Sequence, residues 1–460
     1  DTDLFEAGLN SIVATQMVAR IHASTGVSVA LHEVFETTNS ESFTVKALVR
    51  TFETASAKES DEIQIISKRE LYDVSYVQRR LWLLEKLNGG RFPSSIPLQI
   101  IFREALDITA IEKSLDTLLL RHPSFRTEYI ETEDGLFQKI ADADNCKFRI
   151  TVEDIGGEED IESILKDIGR QEAKHIFELS GDLLLNFRLV RISPDHFRAF
   201  ITFHHIATDG WSASIVLREF FHLYDCFTKG LPNSLVPVQI QYTDYAVWLN
   251  SQIDQRISGD RNFWMSNISG LTERTHLPNY NKRPSVKSYE GKRLSFKFPE
   301  SIVSTLLKIC SEEDCTLFTA LTATLNVLFH RYNSTQSVVL GTSVSNRGFG
   351  GSENLVGYFL SVLALKTEVS ANHTFSEILA ATRTTIQQAY KHQHYPFDQI
   401  VNDLQLQRDS RYNPIFDVVV LLHNYENPIV PDSAQFDSRE SRIVLGTDNE
   451  TCITDVFLEF

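Results

Sequence analysis

The sequence contains no apolar run long enough to span a bilayer and no segment with the features of a secretory signal peptide. Positive charge is also scarce, since 44 Lys and Arg residues stand against 61 Asp and Glu residues, for a formal net charge of −17. Phosphate backbones require basic surface, so this balance argues against a nucleic-acid-binding protein. We therefore expect neither a membrane nor a nucleic acid as partner.

Cysteine is sparse and shows no pairing pattern. The odd number of five cysteines and the absence of a C-x-x-C pair favour a reduced, cytoplasmic setting over a disulfide framework. One His-His pair is present, but no further ligands at metal spacing accompany it, so no metal site is predicted. The cysteines are Cys146, Cys226, Cys310, Cys315 and Cys452.

The remaining composition is that of a globular protein. With 460 residues, 42% of them hydrophobic, the chain is long enough for two to four domains, and no short-period repeat is visible. Strands and helices alternate after a polar linker, which predicts an α+β fold with two mixed lobes. The chain begins with Asp rather than Met and ends inside a predicted strand, so we expect a fragment of a longer protein. The predicted segments are a small helical unit at 1–54, a linker at 55–71, and lobes at 72–255 and 256–460.

One stretch has the pattern of a site. His204 and His205 end an alternating apolar run that predicts a β-strand, so their imidazoles are predicted to face opposite ways. After Asp209 and Gly210 the apolar period becomes helical, with Ser212 as the predicted cap. A titratable His between a strand end and a helix N-terminus suits proton handling and the binding of a polarised carbonyl. Taken alone, such a pair is more often structural than catalytic.

Near the N-terminus, Ser11 opens an amphipathic helix. A helix cap is its ordinary role, whereas a hydroxyl at the positive helix end is also suited to carry a phosphodiester. With Phe5 and Gly8 before it, the stretch resembles the signature of a thiolation (peptidyl carrier) domain, although Asn10 replaces an acidic residue or His and Leu9 a frequent Gly. The resemblance implies that Ser11 carries 4′-phosphopantetheine, received from coenzyme A through a phosphopantetheinyl transferase. It also implies that the family's first helix precedes this sequence.

Seven short blocks in the rest of the chain resemble, in order, those of condensation domains of nonribosomal peptide synthetases. Two blocks depart from the family pattern, with Pro123 where Glu is usual and Ser361-Val362 where Asn-Thr is expected. One block alone is weak evidence, whereas seven in order behind a carrier signature are strong evidence. The blocks occupy residues 75–82, 121–127, 204–212, 242–248, 357–362, 392–398 and 408–416.

The resemblance implies both a fold and an activity. It implies two chloramphenicol-acetyltransferase-like lobes arranged in a V, with a tunnel at their junction and a last strand and helix beyond Phe460. The implied reaction joins a donor aminoacyl or peptidyl thioester on an upstream carrier to the amine of an acceptor thioester on a downstream carrier. An upstream adenylation domain and the downstream carrier of the same synthetase are the implied partners.

The resemblance also assigns roles within the site. His205 is expected to orient the attacking amine, and whether it is a general base stays open because an amine need not lose its proton before attack. His204 is expected to form hydrogen bonds inside its lobe. Asp209 is expected to pair with Arg347 of the other lobe, and Gly210 to leave room for the thioester and offer its N–H to the carbonyl.

Two other functions remain open. One is a related enzyme of the same fold, either an acyltransferase that uses coenzyme A or an epimerisation domain. The fused carrier argues against the first, and Trp211-Ser212 against the second. The other is a non-catalytic, carrier-recruiting domain, against which the intact His205 and Asp209 argue, while the altered fifth block keeps this alternative open.

Overall fold

The computed structural model describes residues 63–423, apart from gaps at 91, 272–273, 278–282, 348–350, 407–408 and 410, together with 442–445, 451–460 and six single positions before residue 50. Ser11 and all but these six positions of the predicted carrier segment therefore lie outside the described residues.

The described residues form twelve strands and nine α-helices. The strands are β1 (Tyr72–Asp73), β2 (Ser95–Phe102), β3 (Thr127–Thr132), β4 (Gly135–Ile140), β5 (Val152–Asp154), β6 (Leu185–Ser193), β7 (His196–His204), β8 (Ser337–Ser345), β9 (Leu360–Glu368), β10 (Val418–Leu421), β11 (Arg442–Leu445) and β12 (Val456–Glu459). The helices are α1 (Tyr76–Leu87), α2 (Ile108–Arg121), α3 (Ile161–Ala173), α4 (Gly210–Thr228), α5 (Tyr242–Ile268), α6 (Glu300–Glu312), α7 (Leu317–Asn333), α8 (Phe375–Lys391) and α9 (Phe397–Asp403).

The first lobe is organised around a five-stranded sheet in the order β11-β2-β7-β6-β5. Its central strand β7 is buried on both faces, as expected for a strand that reads as a nearly continuous apolar run. Ala199, Ile201 and Phe203 belong to the main core with residues of α2 and α4, while Phe200 packs with residues of α3 on the other face. β11 comes from late in the chain and pairs antiparallel with β2, so the second half of the chain supplies an edge strand here.

The second lobe contains a four-stranded sheet in the order β12-β10-β8-β9. β8 and β9 pair antiparallel, whereas β10 runs parallel to both of its neighbours. Gly341 on β8 lies directly against the ring of Phe416, and an added Cβ would overlap that ring. The seventh predicted block, which ends at Phe416, is therefore part of this lobe's core.

The long helix α5 connects the two lobes. Tyr245 and Leu249 near its start pack with Ile63, and Trp264 near its end lies in the second-lobe core. The predicted lobe boundary at 255/256 falls within this continuous helix, so both lobes share it. The Ile66 N–H also donates to an Asp244 carboxylate oxygen at 2.9 Å, which fixes the end of the predicted linker on α5. Among the helices in the described ranges, none has the length and apolarity needed to cross a bilayer.

Candidate active site

His205 lies just beyond β7, at the start of a 3-10 turn, His205–Ala207. The prediction that it sits on the strand is wrong, because β7 ends at His204 and the turn sets the direction of the ring. The His205 N–H donates to the Ser94 carbonyl at 2.7 Å, and Nδ1 lies 2.9 Å from the Thr208 carbonyl oxygen. A carbonyl oxygen only accepts, so Nδ1 carries the proton and Nε2 keeps the basic lone pair.

The imidazole of His205 is partly exposed and faces the second lobe. The edge of the Tyr358 ring meets it with 5.0 Å between ring centroids. Burial lowers the pKa of His205 below its usual range, opposed in part by the hydrogen bond to the Thr208 carbonyl. The neutral, proton-accepting form of His205 is therefore the form present near neutral pH.

His204 has different surroundings. Its side chain is 1% exposed and places Nε2 2.8 Å from an oxygen of Glu85. Its Nδ1 accepts the Ile206 N–H at 3.0 Å. The ring thus forms hydrogen bonds inside the first lobe, which is the arrangement expected from the sequence, whereas no sequence pattern indicates its partner Glu85.

Asp209 ends the turn and begins α4. Its carboxylate accepts the Ser212 N–H at 2.8 Å, so Asp209 is the N-cap and the prediction that Ser212 is the cap is wrong. Gly210 is the first residue of α4, and its N–H is one of those that a helix leaves without an intrahelical acceptor. The hydroxyl of Ser212 instead donates to the Gly357 carbonyl at 2.8 Å.

Arg347, which follows β8 of the second lobe, is fully buried beside Asp209. Its Nη2 lies 3.2 Å from Asp209 Oδ1 and 2.7 Å from Ser212 Oγ, and Nη1 donates to two carbonyls of the following loop. The guanidinium lies 3.7 Å from the ring centroid of Phe359. Burial lowers the pKa of Arg347 and the Asp209 charge opposes this change. The pair joins the turn of the first lobe to the second lobe.

The fifth block lies directly beside this pair. An added Cβ on Gly357 would overlap the Tyr242 ring, so only glycine fits here. Ser361, which departs from the family pattern, accepts a hydrogen bond from the Asn346 amide at 2.6 Å and lies 2.8 Å from the Tyr76 hydroxyl. The altered residue is therefore integrated into the contact between the lobes.

Sequence reasoning missed several residues of the site. Tyr358 lies inside the fifth block, so the block indicated the region but not its contact with His205. Arg80 and Asp398, from the first and sixth blocks, form an ion pair at 3.2 Å between the lobes. Glu85 has no motif signal, because a buried Glu near a helix end has no characteristic spacing.

Comparison with known proteins identifies the class. Residues 68–450 match the family model "Condensation domain", and residues 1–44 match "Phosphopantetheine attachment site". This chain therefore belongs to the condensation-domain family of nonribosomal peptide synthetases. The N-terminal match identifies a domain for covalent attachment of 4′-phosphopantetheine.

Curated relatives are subunits of large synthetases. A linear gramicidin synthase subunit from Brevibacillus parabrevis is 32% identical over 431 residues, which cover 92% of this chain and 8% of the relative. Surfactin synthase subunit 1 from Bacillus subtilis is 28% identical over 422 residues, covering 92% and 11%. The chain thus spans about a tenth of the length of these relatives.

Solved structures show the same fold. The X-domain from teicoplanin biosynthesis superimposes with a TM-score of 0.76 at 23% identity, over 86% of this chain and 87% of that one. The first condensation domain of the calcium-dependent antibiotic synthetase superimposes with a TM-score of 0.69 at 14% identity, over 85% of this chain and 87% of that one. The predicted α+β fold of chloramphenicol-acetyltransferase-like lobes is confirmed, as is the predicted order of carrier and condensation domains.

Proposed function

We propose that this chain joins a donor acyl group, held as a thioester on an upstream carrier, to the amine of an acceptor thioester on a downstream carrier. The acceptor nitrogen forms a bond to the thioester carbon and the carbon–sulfur bond breaks. The proton that the nitrogen loses passes to the departing sulfur, which leaves as a thiol. The observation that carries this proposal is the neutral His205, with a basic Nε2, at the contact between the lobes.

Each residue of the site has its own role in the proposed reaction. His205 Nε2 accepts the proton that the attacking nitrogen loses. The Gly210 N–H, at the start of α4, donates to the carbonyl oxygen as negative charge develops there. Asp209 and Arg347 hold the turn against the second lobe, and His204 holds it from within the first lobe. Alignment of two tethered substrates supplies much of the remaining rate gain.

A non-catalytic, carrier-recruiting role is the alternative that the fold leaves open, since fold likeness extends to an X-domain solved in complex with OxyB. The oriented His205 and the intact Asp209–Arg347 pair favour catalysis. Purified protein is given one loaded donor carrier and one loaded acceptor carrier, and products are identified by mass spectrometry. Formation of an amide supports the proposal. Acyl transfer that occurs only from coenzyme A, or inversion of the α-carbon, supports a related enzyme. The absence of any product supports the recruiting role.

The upstream carrier is proposed to be the N-terminal domain of this chain, with Ser11 as the attachment residue. We expect coenzyme A and a phosphopantetheinyl transferase to add one phosphopantetheine to the protein and none to Ser11→Ala, because the variant lacks the hydroxyl that bonds to phosphorus. Intact-mass spectrometry measures the addition. Ser28→Ala, a nearby serine outside the signature, is the matched control and should be loaded fully. Loading of Ser11→Ala would assign the arm to another residue.

Further partners follow from this assignment. An adenylation domain of the same synthetase is proposed to load the donor carrier. A cytoplasmic setting is proposed from the sparse, unpatterned cysteines, which are free in the described ranges.

The pH dependence of the reaction tests the state of His205. Because burial lowers its pKa, the protonated, inactive form should accumulate only below about pH 6.5. We expect the single-turnover rate to be independent of pH near pH 7 and to decrease only when the pH is lower. An acceptor carrying an aminooxy group, which stays neutral across this range, removes titration of the nucleophile itself. A midpoint above 6.5 on the acid side would contradict the lowered pKa.

A further inference from the structure

Glu85 is a buried carboxylate that the mechanism above does not use. It lies in the last turn of α1 and is 8% exposed, yet no family block or charge pattern singled it out. Its Oε1 is 2.8 Å from Nε2 of His204. A carboxylate is rarely buried unless it is paired, so this contact accounts for its position.

The contact fixes the protonation of His204. Nδ1 of His204 accepts the Ile206 N–H at 3.0 Å and must therefore be unprotonated. The ring proton then lies on Nε2 and points at the Glu85 carboxylate. Glu85 thereby selects the tautomer that lets His204 bind the backbone of the residue following His205.

The carbonyl of Ile206 is held by a second series of hydrogen bonds. The Tyr129 hydroxyl donates to the Ile206 carbonyl at 3.4 Å and accepts from the Gln78 amide at 2.9 Å. Gln78 lies on α1, two turns before Glu85, and its side-chain oxygen accepts the Ser75 N–H of the capping box. Helix α1 thus reaches both backbone polar groups of Ile206.

We propose that Glu85 is a positioning residue for amide formation. Through His204 it holds the Ile206 N–H, so that the 3-10 turn presents His205 with Nδ1 on the Thr208 carbonyl and Nε2 toward the substrates. This inference rests on the proposed function of His205, since a positioning role has meaning only if that ring acts in the reaction. Without the carboxylate, the Nε2–H of His204 loses its acceptor, and the hold of His204 on the Ile206 N–H weakens.

The test compares Glu85 with a matched buried pair in the same lobe. Glu219 lies 2.6 Å from Nε2 of buried His122, and its carboxylate also accepts from Arg121 at 3.0 Å; it is on α4, well beyond the turn that holds His205. Glu85→Ala and Glu219→Ala should both lower the melting temperature. Only Glu85→Ala should lower the single-turnover rate, by about tenfold or more, when each variant is assayed well below its own melting temperature.

Two readouts separate positioning from general destabilisation. In Glu85→Ala the turn should be less tightly held, so that water reaches His205 and its pKa rises. The pH at which the rate with the aminooxy acceptor is half its maximum should therefore shift upward, toward about pH 6.5. Amide hydrogen exchange in the peptide that contains Ile206 should also become faster. Glu85→Gln keeps an oxygen that accepts the Nε2 proton, and should restore the rate to within about threefold of the unaltered protein.

Failure of the positioning role can be distinguished from failure of the proposed function. If the unaltered protein forms no amide, the proposed function fails, whatever Glu85 does. If it forms amide and Glu85→Ala keeps its rate, acid limb and exchange, the positioning role is overturned, as it is if Glu219→Ala loses as much activity. Should Glu85→Ala fail to fold, Glu85→Asp replaces it, because the shorter side chain draws the carboxylate away from Nε2.

Discussion

Replacing His205 with Ala is expected to lower the single-turnover rate of amide formation by about 10²- to 10⁴-fold, the usual contribution of a general base. The ring is partly exposed at the contact between the lobes, and Nδ1 is the only ring atom used by the turn. Its loss should therefore cost little stability. The measurement is product formation from loaded donor and acceptor carriers, with a melting curve for the variant.

His222→Ala is the matched control for this prediction. Its imidazole is also on the first lobe and bonds to the Ser234 hydroxyl at 2.8 Å, but it lies on α4 more than two turns from Gly210. We expect it to react at the rate of the unaltered protein. A folded His205→Ala protein with that same rate would remove the imidazole from the mechanism and leave proximity and the Gly210 N–H to account for the reaction.

Replacing Arg347 with Ala is expected to lower the free energy of unfolding by about 3–5 kcal/mol, the cost of leaving one member of a buried ion pair alone. Asp209 is 1% exposed, so its charge has no access to water once the guanidinium is gone. The loss also removes two hydrogen bonds to loop carbonyls and the contact with the Phe359 ring. Urea unfolding of the purified protein measures the change.

Arg80→Ala provides the comparison. Arg80 pairs with Asp398 between the same two lobes, but the side chains are 25% and 49% exposed. Water screens such a pair, so we expect a change of about 1 kcal/mol or less. If the two variants lose equal stability, burial does not decide the strength of these pairs, and the structural role given to Asp209–Arg347 is wrong.

The class of the protein and most of its elements could be predicted from the amino-acid pattern alone. The apolar period predicted the strand that became β7 and the helix that became α4, because the period indicates which face of an element is buried. The order of short blocks predicted the family, and the Asp209–Arg347 contact is present at 3.2 Å. The cap of α4 was misassigned because Asp209 and Ser212 are both good caps, and only the chain's path into the helix distinguishes them.

Apart from the Asp209–Arg347 pair, contacts between residues distant in the chain became visible only in the folded protein. The apolar period does not show that Glu85 and His204, 119 positions apart, share a proton. It cannot place β11 beside β2 or make α5 common to both lobes, because these contacts join residues far apart in the chain. The direction of His205 likewise depends on where β7 stops, and that point is set by hydrogen bonds that His205 donates to the Ser94 and Thr208 carbonyls rather than by the alternation of side chains.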